Sequence, residues 1–354
     1  MSFVHAYKQR RLRKLVALIV LIALCLLLSV CSILVGASDL SFGEVVLAIF
    51  GVGEKNALLA VRNIRLPRVI AALVAGGGLA ISGLVMQNVL KNPVASPSTL
   101  GVGNAAVFGA NFAIVALGAG AFHSTHGNWL TIENPYLVSA FAFFSSLLCV
   151  GMILLLSSIK KFPPSTVVLA GVAMGSIFQA ATTIIQYFAD DMQVASAVYW
   201  TFGDLSRATY REDLIMAIVV GVSFLYFYWK RWDYAAMTNG GTLAKTLGVR
   251  TGRVTVLSLF LASLITAVCV SFLGIIGFVG LIAPQIMRKI VGDDHRFLLP
   301  CSFFCGAVVL LVSDTVGRLV IAGTALPVGA VTSLLGGPLF LYLLLKEKRH
   351  AAID

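Results

Sequence analysis

Blocks of apolar residues, separated by short polar and charged stretches, repeat along the whole chain. Ten of them, near 15–36, 66–90, 98–120, 135–158, 164–188, 213–230, 253–275, 277–292, 298–322 and 327–346, are the candidate elements. Most are about twenty residues long, the length at which an α-helix crosses a ~30 Å hydrocarbon core. The pattern predicts an all-α polytopic membrane protein with ten transmembrane helices. The eighth block is short and glycine-rich at its start, so a kinked or partly re-entrant span is expected there. The first, Leu15 to Gly36, exceeds the ~7–15 residues of a signal-peptide core and reads as a retained first helix behind the segment 1–14. An even count of spans puts both termini on one side.

Composition agrees. Of 354 residues, 59% are hydrophobic and 12% charged, against about 25% charged in a soluble domain. The net charge of +11 does not indicate nucleic acid, because Lys and Arg sit in short clusters between apolar blocks. Topology explains them better. Nineteen of the 26 lie in the N-terminal segment, the C-terminal segment and the loops on their side, which predicts cytoplasmic termini. Of the seven on the other side, Arg62, Arg65 and Arg68 form a cluster that breaks the rule.

Arg65 to Gly101 is the most informative stretch. Two arginines one turn apart precede about twenty uncharged residues with four glycines, and a Lys91-Asn92-Pro93 turn closes it. Arginines are costly at mid-bilayer and belong at an interface. The Gly and Ser positions allow another helix to approach closely, as does the Gly171/Gly175 pair. In the fifth block Gln179, Thr182, Thr183 and Gln186 recur at helical spacing, a polar stripe facing a cavity or another subunit. Asp314 and Arg318 stand at i, i+4 near the outer end of the ninth block, where such a pair can meet; a structural ion pair and an outward-facing docking role both fit. Outer segment 189–212, with Asp190, Asp191 and Trp200, has the spacing of a short amphipathic helix at the interface, and the cytoplasmic loop 230–252 holds a glycine break followed by a short helix. Gly83 and Gly109 are spaced like Gly280 and Gly306, 26 residues apart, a faint sign of internal duplication.

Little in the chain carries chemistry. The six cysteines fall inside apolar blocks with no CxxC and read as packing residues. His123 and His126 form an HxxH in an outer loop, best read as solvated, so no metal site is expected. There is no Gly-Lys pair and hence no phosphate-cradling loop. An enzyme is not expected, and a channel would want a polar or charged ring.

Seven stretches together resemble the FecCD family, permease subunits of type II ATP-binding-cassette importers for iron-siderophores, haem and cobalamin. They are RLPR at 65–68, GGGLAISGLVMQ at 76–87, NPVASPSTLG at 92–101, LAGVAMG at 169–175, GFVGLIAP at 277–284, VGDDHRFLLP at 291–300 and LPVGAVTSLLGGPLFLYLLLK at 326–346. The resemblance spans nearly the whole chain and implies one permease domain, 1–354, in a bacterial or archaeal inner membrane. It implies a homodimer of ten-helix subunits that moves a ferric siderophore, haem or corrinoid inward by alternating access. Two cytoplasmic ATPase subunits would drive it and an extracytoplasmic binding protein would deliver the cargo; no cofactor is implied. By the same resemblance, Arg65, Arg68 and Arg318 would dock the binding protein. Gly240, Gly241, Leu243, Ala244, Leu247 and Gly248 would couple to the ATPase, and Ser165 and Thr166 would lie at the inner gate. The fifth and tenth spans would line the pathway. The chain departs from the family at Gly241 and Thr242, where two acids are usual, at Gln285, where His is common, and at Tyr210, where Trp is frequent. The alternative is a secondary transporter driven by an ion gradient; it calls for buried acids or unwound helices at mid-membrane, and only Asp314 answers.

Overall fold

The computed structural model describes residues 3–36, 40–119, 121–123, 130–132, 134–160, 164–321 and 325–351. In chain order the helices are α1 (Phe3–Leu34), α2 (Phe42–Ile49), α3 (Lys55–Leu58), α4 (Leu66–Val89), α5 (Val102–Asn111) and α6 (Pro135–Lys160). They continue with α7 (Pro164–Tyr187), α8 (Asp191–Thr201), α9 (Tyr210–Trp229), α10 (Arg231–Thr238), α11 (Gly241–Thr246) and α12 (Thr251–Leu273). The last three are α13 (Val279–Val291), α14 (His295–Leu319) and α15 (Val328–Ala351). A small antiparallel pair, β1 (Ala121–His123) and β2 (Leu130–Ile132), lies between α5 and α6. His126 of the HxxH pattern lies outside the described residues.

Each of the ten apolar blocks holds a helix. Among the described residues, seven helices are long and apolar enough to cross a membrane, and Val102–Ala116 and Val328–Tyr342 are shorter apolar ones. The block at 277–292 is represented by α13 alone, 13 residues, which at ~1.5 Å per residue reaches about 20 Å. The chain enters α13 through an irregular segment in which Ile275 bridges to Phe202 and Phe278 takes a φ of 63°. Ile276 and Val279 there are buried, so irregular backbone is shielded by protein, as a bilayer requires. This is the short, broken element expected of the eighth block.

α4 is the central helix, buried along nearly its whole length. Its small residues make that possible. A Cβ at Gly83 would lie 1.8 Å from the carbonyl oxygen of Gly280 on α13, and one at Gly76 would lie 2.5 Å from that of Gly306 on α14. Gly171 likewise sits against the backbone of Leu100, where a Cβ would come within 2.6 Å of its Cα. The helices meet backbone to backbone, which small residues alone permit. α1 lies at the periphery, with Val16, Ile19, Val20, Leu26 and Leu27 exposed.

One region differs from the sequence reading. The stretch before Arg65 is helical rather than a loop: α2 is opened by a Ser41–Glu44 capping box, and α3 runs through a π-helical turn, Leu59–Arg65, into α4. The second span therefore extends from Lys55 to Val89, 35 residues. Within 189–212, where a short amphipathic helix is expected, the chain forms the helix α8, with Trp200 and Ala197 buried and Asp191 exposed.

Candidate functional site

The two ends of the bundle are built differently. At one, here the distal end, α1 terminates and α4 begins. Arg65 donates through Nη1 to the carbonyls of Ile33 (2.8 Å) and Leu34 (3.1 Å). Arg318 donates to Val35 O (2.6 Å), to Ser32 O (3.2 Å) and to Ser32 Oγ (2.6 Å). The last carbonyls of a helix have no partner within it and carry the negative end of its dipole. Two guanidinium groups thus cap α1 from outside. Arg207 does the same for α8, donating to Tyr199 O and Trp200 O at 2.8 Å each; burial pulls its guanidinium below the usual arginine range, and Asp204 and Tyr199 oppose that.

Asp314 joins two of the cations. Its Oδ1 accepts from Arg68 Nε at 2.8 Å, and its Oδ2 lies 3.1 Å from Arg318 Nε. Arg68 also approaches Asp204 at 3.7 Å. The Asp314 side chain is 1% exposed, those of Arg68 and Arg318 about 10%. The i, i+4 pair read from sequence is therefore part of a buried three-residue cluster, and Arg65, Arg68 and Arg318 all turn inward. Lys55, Arg62 and Arg211 are the exposed cations of this end.

At the proximal end, where α1 begins, α11 is set off by two glycines with positive φ, Gly240 (132°) and Gly248 (82°). Ala244 is buried, while Leu243 and Leu247, one turn apart, are 48% and 65% exposed. The helix presents an apolar edge and anchors itself by a methyl group. Ser165 and Thr166 open α7; Thr166 is half-buried, and the Ser165 side chain lies outside the described residues. On α7, Gln179 and Thr183 are exposed and Gln186 donates to Asn111 Oδ1 at 2.9 Å. Thr182 turns inward, buried, and donates to Phe178 O. The stripe is thus three residues wide in length, with Thr182 at its packed edge.

Sequence reasoning placed Arg62 in the outer cluster and Lys55 on the same side, without singling them out as its exposed cations. It missed the meeting of buried Asn88 and His295 with exposed Thr238 at the proximal end, which no local pattern announces.

Helices long and apolar enough to cross a membrane, packed around one central, glycine-lined helix, define a multi-pass membrane protein. The model of the FecCD transport family matches residues 21–346, and the chain belongs to that family. It is 49% identical over 346 residues, 98% of this chain and 99% of the relative, to an ABC transporter permease protein of Methanocaldococcus jannaschii. It is 32% identical to the Fe(3+)-citrate import system permease protein YfmE of Bacillus subtilis, over 96% of this chain and 98% of the relative. Among solved structures it resembles a metal-chelate type ABC transporter in an inward-facing conformation, with a TM-score of 0.79 at 27% identity, covering 93% of this chain and 98% of that one. The chain is accordingly a transport component of the membrane, and permeases of this kind work with separate ATPase and binding-protein partners. The secondary-transporter alternative is not favoured.

Proposed function

We propose that two copies of this chain form the import permease of an ABC transporter for a metal chelate, in the bacterial or archaeal inner membrane, with the proximal end and both termini cytoplasmic. The observation that carries the reading is α11: a short helix between two positive-φ glycines, with Leu243 and Leu247 held out of the bundle. An exposed apolar edge on a loop rich in Lys and Arg has the form of a docking knob. Gly240, Gly241, Ala244 and Gly248 shape it, and the ATPase receives it. The distal end receives the binding protein. Arg65, Arg68 and Arg318 form its rigid frame, and Lys55, Arg62 and Arg211 offer charge to an acidic partner. Ser165 and Thr166 stand at the inner gate, and Gln179, Thr183 and Gln186 face the pathway between the two copies, with Thr182 behind them. Segment 189–212 lies at the outer interface and 230–252 is the coupling loop. The cargo is a bulky ferric chelate, haem or corrinoid, since relatives are named as permeases for Fe(3+)-citrate, hemin and vitamin B12 and a solved neighbour is of metal-chelate type.

The test is reconstitution of the permease with its ATPase and binding protein in lipid. ATPase activity is measured with binding protein loaded with ferric citrate, a ferric siderophore, haem or cobalamin. Stimulation selective for one loaded form supports the reading and names the cargo. Uptake that follows an ion gradient with no ATPase present overturns it.

A further inference from the structure

A chain of hydrogen bonds, buried at Asn88 and His295 and exposed at Thr238, joins the root of α11 to the transmembrane core. His295, the first residue of α14, is buried and its Nδ1 lies 3.0 Å from the carbonyl oxygen of Asp293. A carbonyl only accepts, so Nδ1 carries the proton and, in the neutral ring, Nε2 is an acceptor. Asn88 Nδ2, on the last turn of α4, lies 2.6 Å from that Nε2 and donates to it. The Asn88 Oδ1 then accepts from Thr238 Oγ1 at 3.0 Å. Thr238 ends α10, and only Asn239 and Gly240 separate it from Gly241, where α11 begins. The Thr238 hydroxyl also lies 3.0 Å from Tyr234 O and shares its one proton between the two acceptors, while the Asn88 amide donates on one side and accepts on the other.

The surroundings make this series a mechanical joint. α10 is gripped at two further points: Tyr234 OH pairs with Ser258 Oγ on α12 at 2.7 Å, and the Arg296 guanidinium lies 5.2 Å from the Trp232 ring. Next to Asn88, Gln87 donates to Gly280 O, while Gln285 donates to Pro93 O at 3.0 Å. The end of α4 is thus tied to α13 and to the loop that follows α4. Beyond Thr238 the chain turns into α11 through Gly240, whose positive φ glycine adopts readily.

We propose that Thr238, Asn88 and His295 are positioning residues of energy coupling: they carry a displacement of α11 into the adjoining ends of α4 and α14, and through Gln87 and Gln285 into the loop at Pro93. This rests on α11 being the ATPase contact. A push on α11 that reaches Thr238 moves Asn88 and His295 together, because those two are buried and separating them leaves both unpaired, while Thr238 grips Asn88 Oδ1 from the exposed edge of the site.

The experiment uses the permease assembled with its ATPase and binding protein in proteoliposomes, and reads cargo transported per ATP hydrolysed. Thr238→Val removes the donor at nearly constant shape. It is expected to lower that ratio roughly tenfold, the factor that loss of ~1.4 kcal/mol of coupling produces, with hydrolysis continuing. Thr238→Ser restores the ratio. Asn88→Leu gives the same loss, and the double variant is no worse than Asn88→Leu alone. Ser258→Ala removes the neighbouring Tyr234 bond and lowers the melting temperature, but leaves the ratio unchanged. If Thr238→Val and Asn88→Leu assemble and transport at the wild-type ratio, the proposal is overturned. Leu243→Glu with Leu247→Glu separates the premises. Loss of ATPase assembly or coupling in that variant, beside a normal Thr238→Val, overturns the linkage alone. Normal coupling in it removes the ATPase contact and overturns both.

Discussion

Replacing Asp314 by Ala removes one carboxylate from between two guanidinium groups. Arg68 Nε and Arg318 Nε sit 2.8 Å and 3.1 Å from its oxygens, and the carboxylate side chain is 1% exposed. Removing one member of a buried ion pair costs about 3–5 kcal/mol, because the remaining charge is left without compensation. The lower end applies here. Arg68 keeps Asp204 at 3.7 Å, and Arg318 keeps its bonds to Ser32 and Val35. For 354 residues at ~2.1 cal/mol/K of unfolding entropy each, about 3 kcal/mol lowers the melting temperature by roughly 4 °C. Asp314→Asn, which keeps an acceptor but no charge, should fall between.

The assay is thermal unfolding of the purified permease in detergent at low and at 1 M salt. The Debye length at 1 M salt is about 3 Å, yet the pair is sheltered from ions, so salt should move the wild type by less than the Asp314→Ala substitution does. Arg318→Lys supplies the counter-test: the charge stays, the fork that caps α1 is lost, and the protein should still be destabilised. If Asp314→Ala melts with the wild type, or if high salt destabilises the wild type as much as the substitution, the cluster is not a buried structural unit and the reasoning fails.

Four further outcomes follow from single contacts. Lys55→Glu with Arg62→Glu, both exposed, should weaken binding-protein docking severalfold, at ~0.2–1 kcal/mol per exposed pair, and flatten its salt dependence while melting is unchanged; titration of labelled binding protein reads this. Gly83→Ala drives a Cβ to 1.8 Å from Gly280 O and should cost more than the ~1–3 kcal/mol typical of overpacking, seen as loss of folded permease, whereas Gly103→Ala, with nothing within 4 Å, should be tolerated. Gly241→Glu puts a carboxylate at the start of α11 beside Lys91, whose Nζ is 3.7 Å from a Cβ there; the favourable end of the helix dipole is worth ~0.3–1 kcal/mol, so hydrogen exchange over 241–248 should slow severalfold. Asp294 is pushed up by burial, but hydrogen bonds from Arg296 and Lys14 outweigh this and hold it below 3.8. Its contribution is therefore complete above that value and is lost as pH falls through the lowered folded one; melting of Asp294→Asn should lack that acid-side decline.

The sequence made the spans legible because lipid demands long apolar helices and leaves few alternatives. Glycines on α4 announced close packing, and Gly83 does meet Gly280, the residue at the matching place in the 26-residue spacing. What escaped was either short or distant. α2 holds eight residues, too few to register as a span, though Ser41 and Glu44 at capping-box spacing marked its start. Asp314 and Arg318 were visible as neighbours on one helix face, but Arg68 joins them from 246 residues away. Arg65 meets the backbone carbonyls of Ile33 and Leu34, groups that every residue has and no motif marks. Thr182 was placed on the polar stripe although ~100° per residue sets it about 60° from Gln179, enough to bury it.

The cations at the distal end thus have two causes with different consequences. α1 and α8 both finish there, and each presents carbonyls that lipid cannot satisfy. Arg65, Arg318 and Arg207 satisfy them, so these arginines would be required even in a chain with no partner. Arg68 stands apart, since its bonds go to carboxylates and it holds α4 to α14. Lys55, Arg62 and Arg211 satisfy nothing comparable and remain exposed. Charge that breaks the inside rule for reasons of capping is buried and indifferent to salt. Charge that breaks it for docking must stay in water, where salt and an acidic partner both reach it. Measuring melting and docking on the same variants separates the two sets, because the capping arginines should move the first and the exposed cations the second.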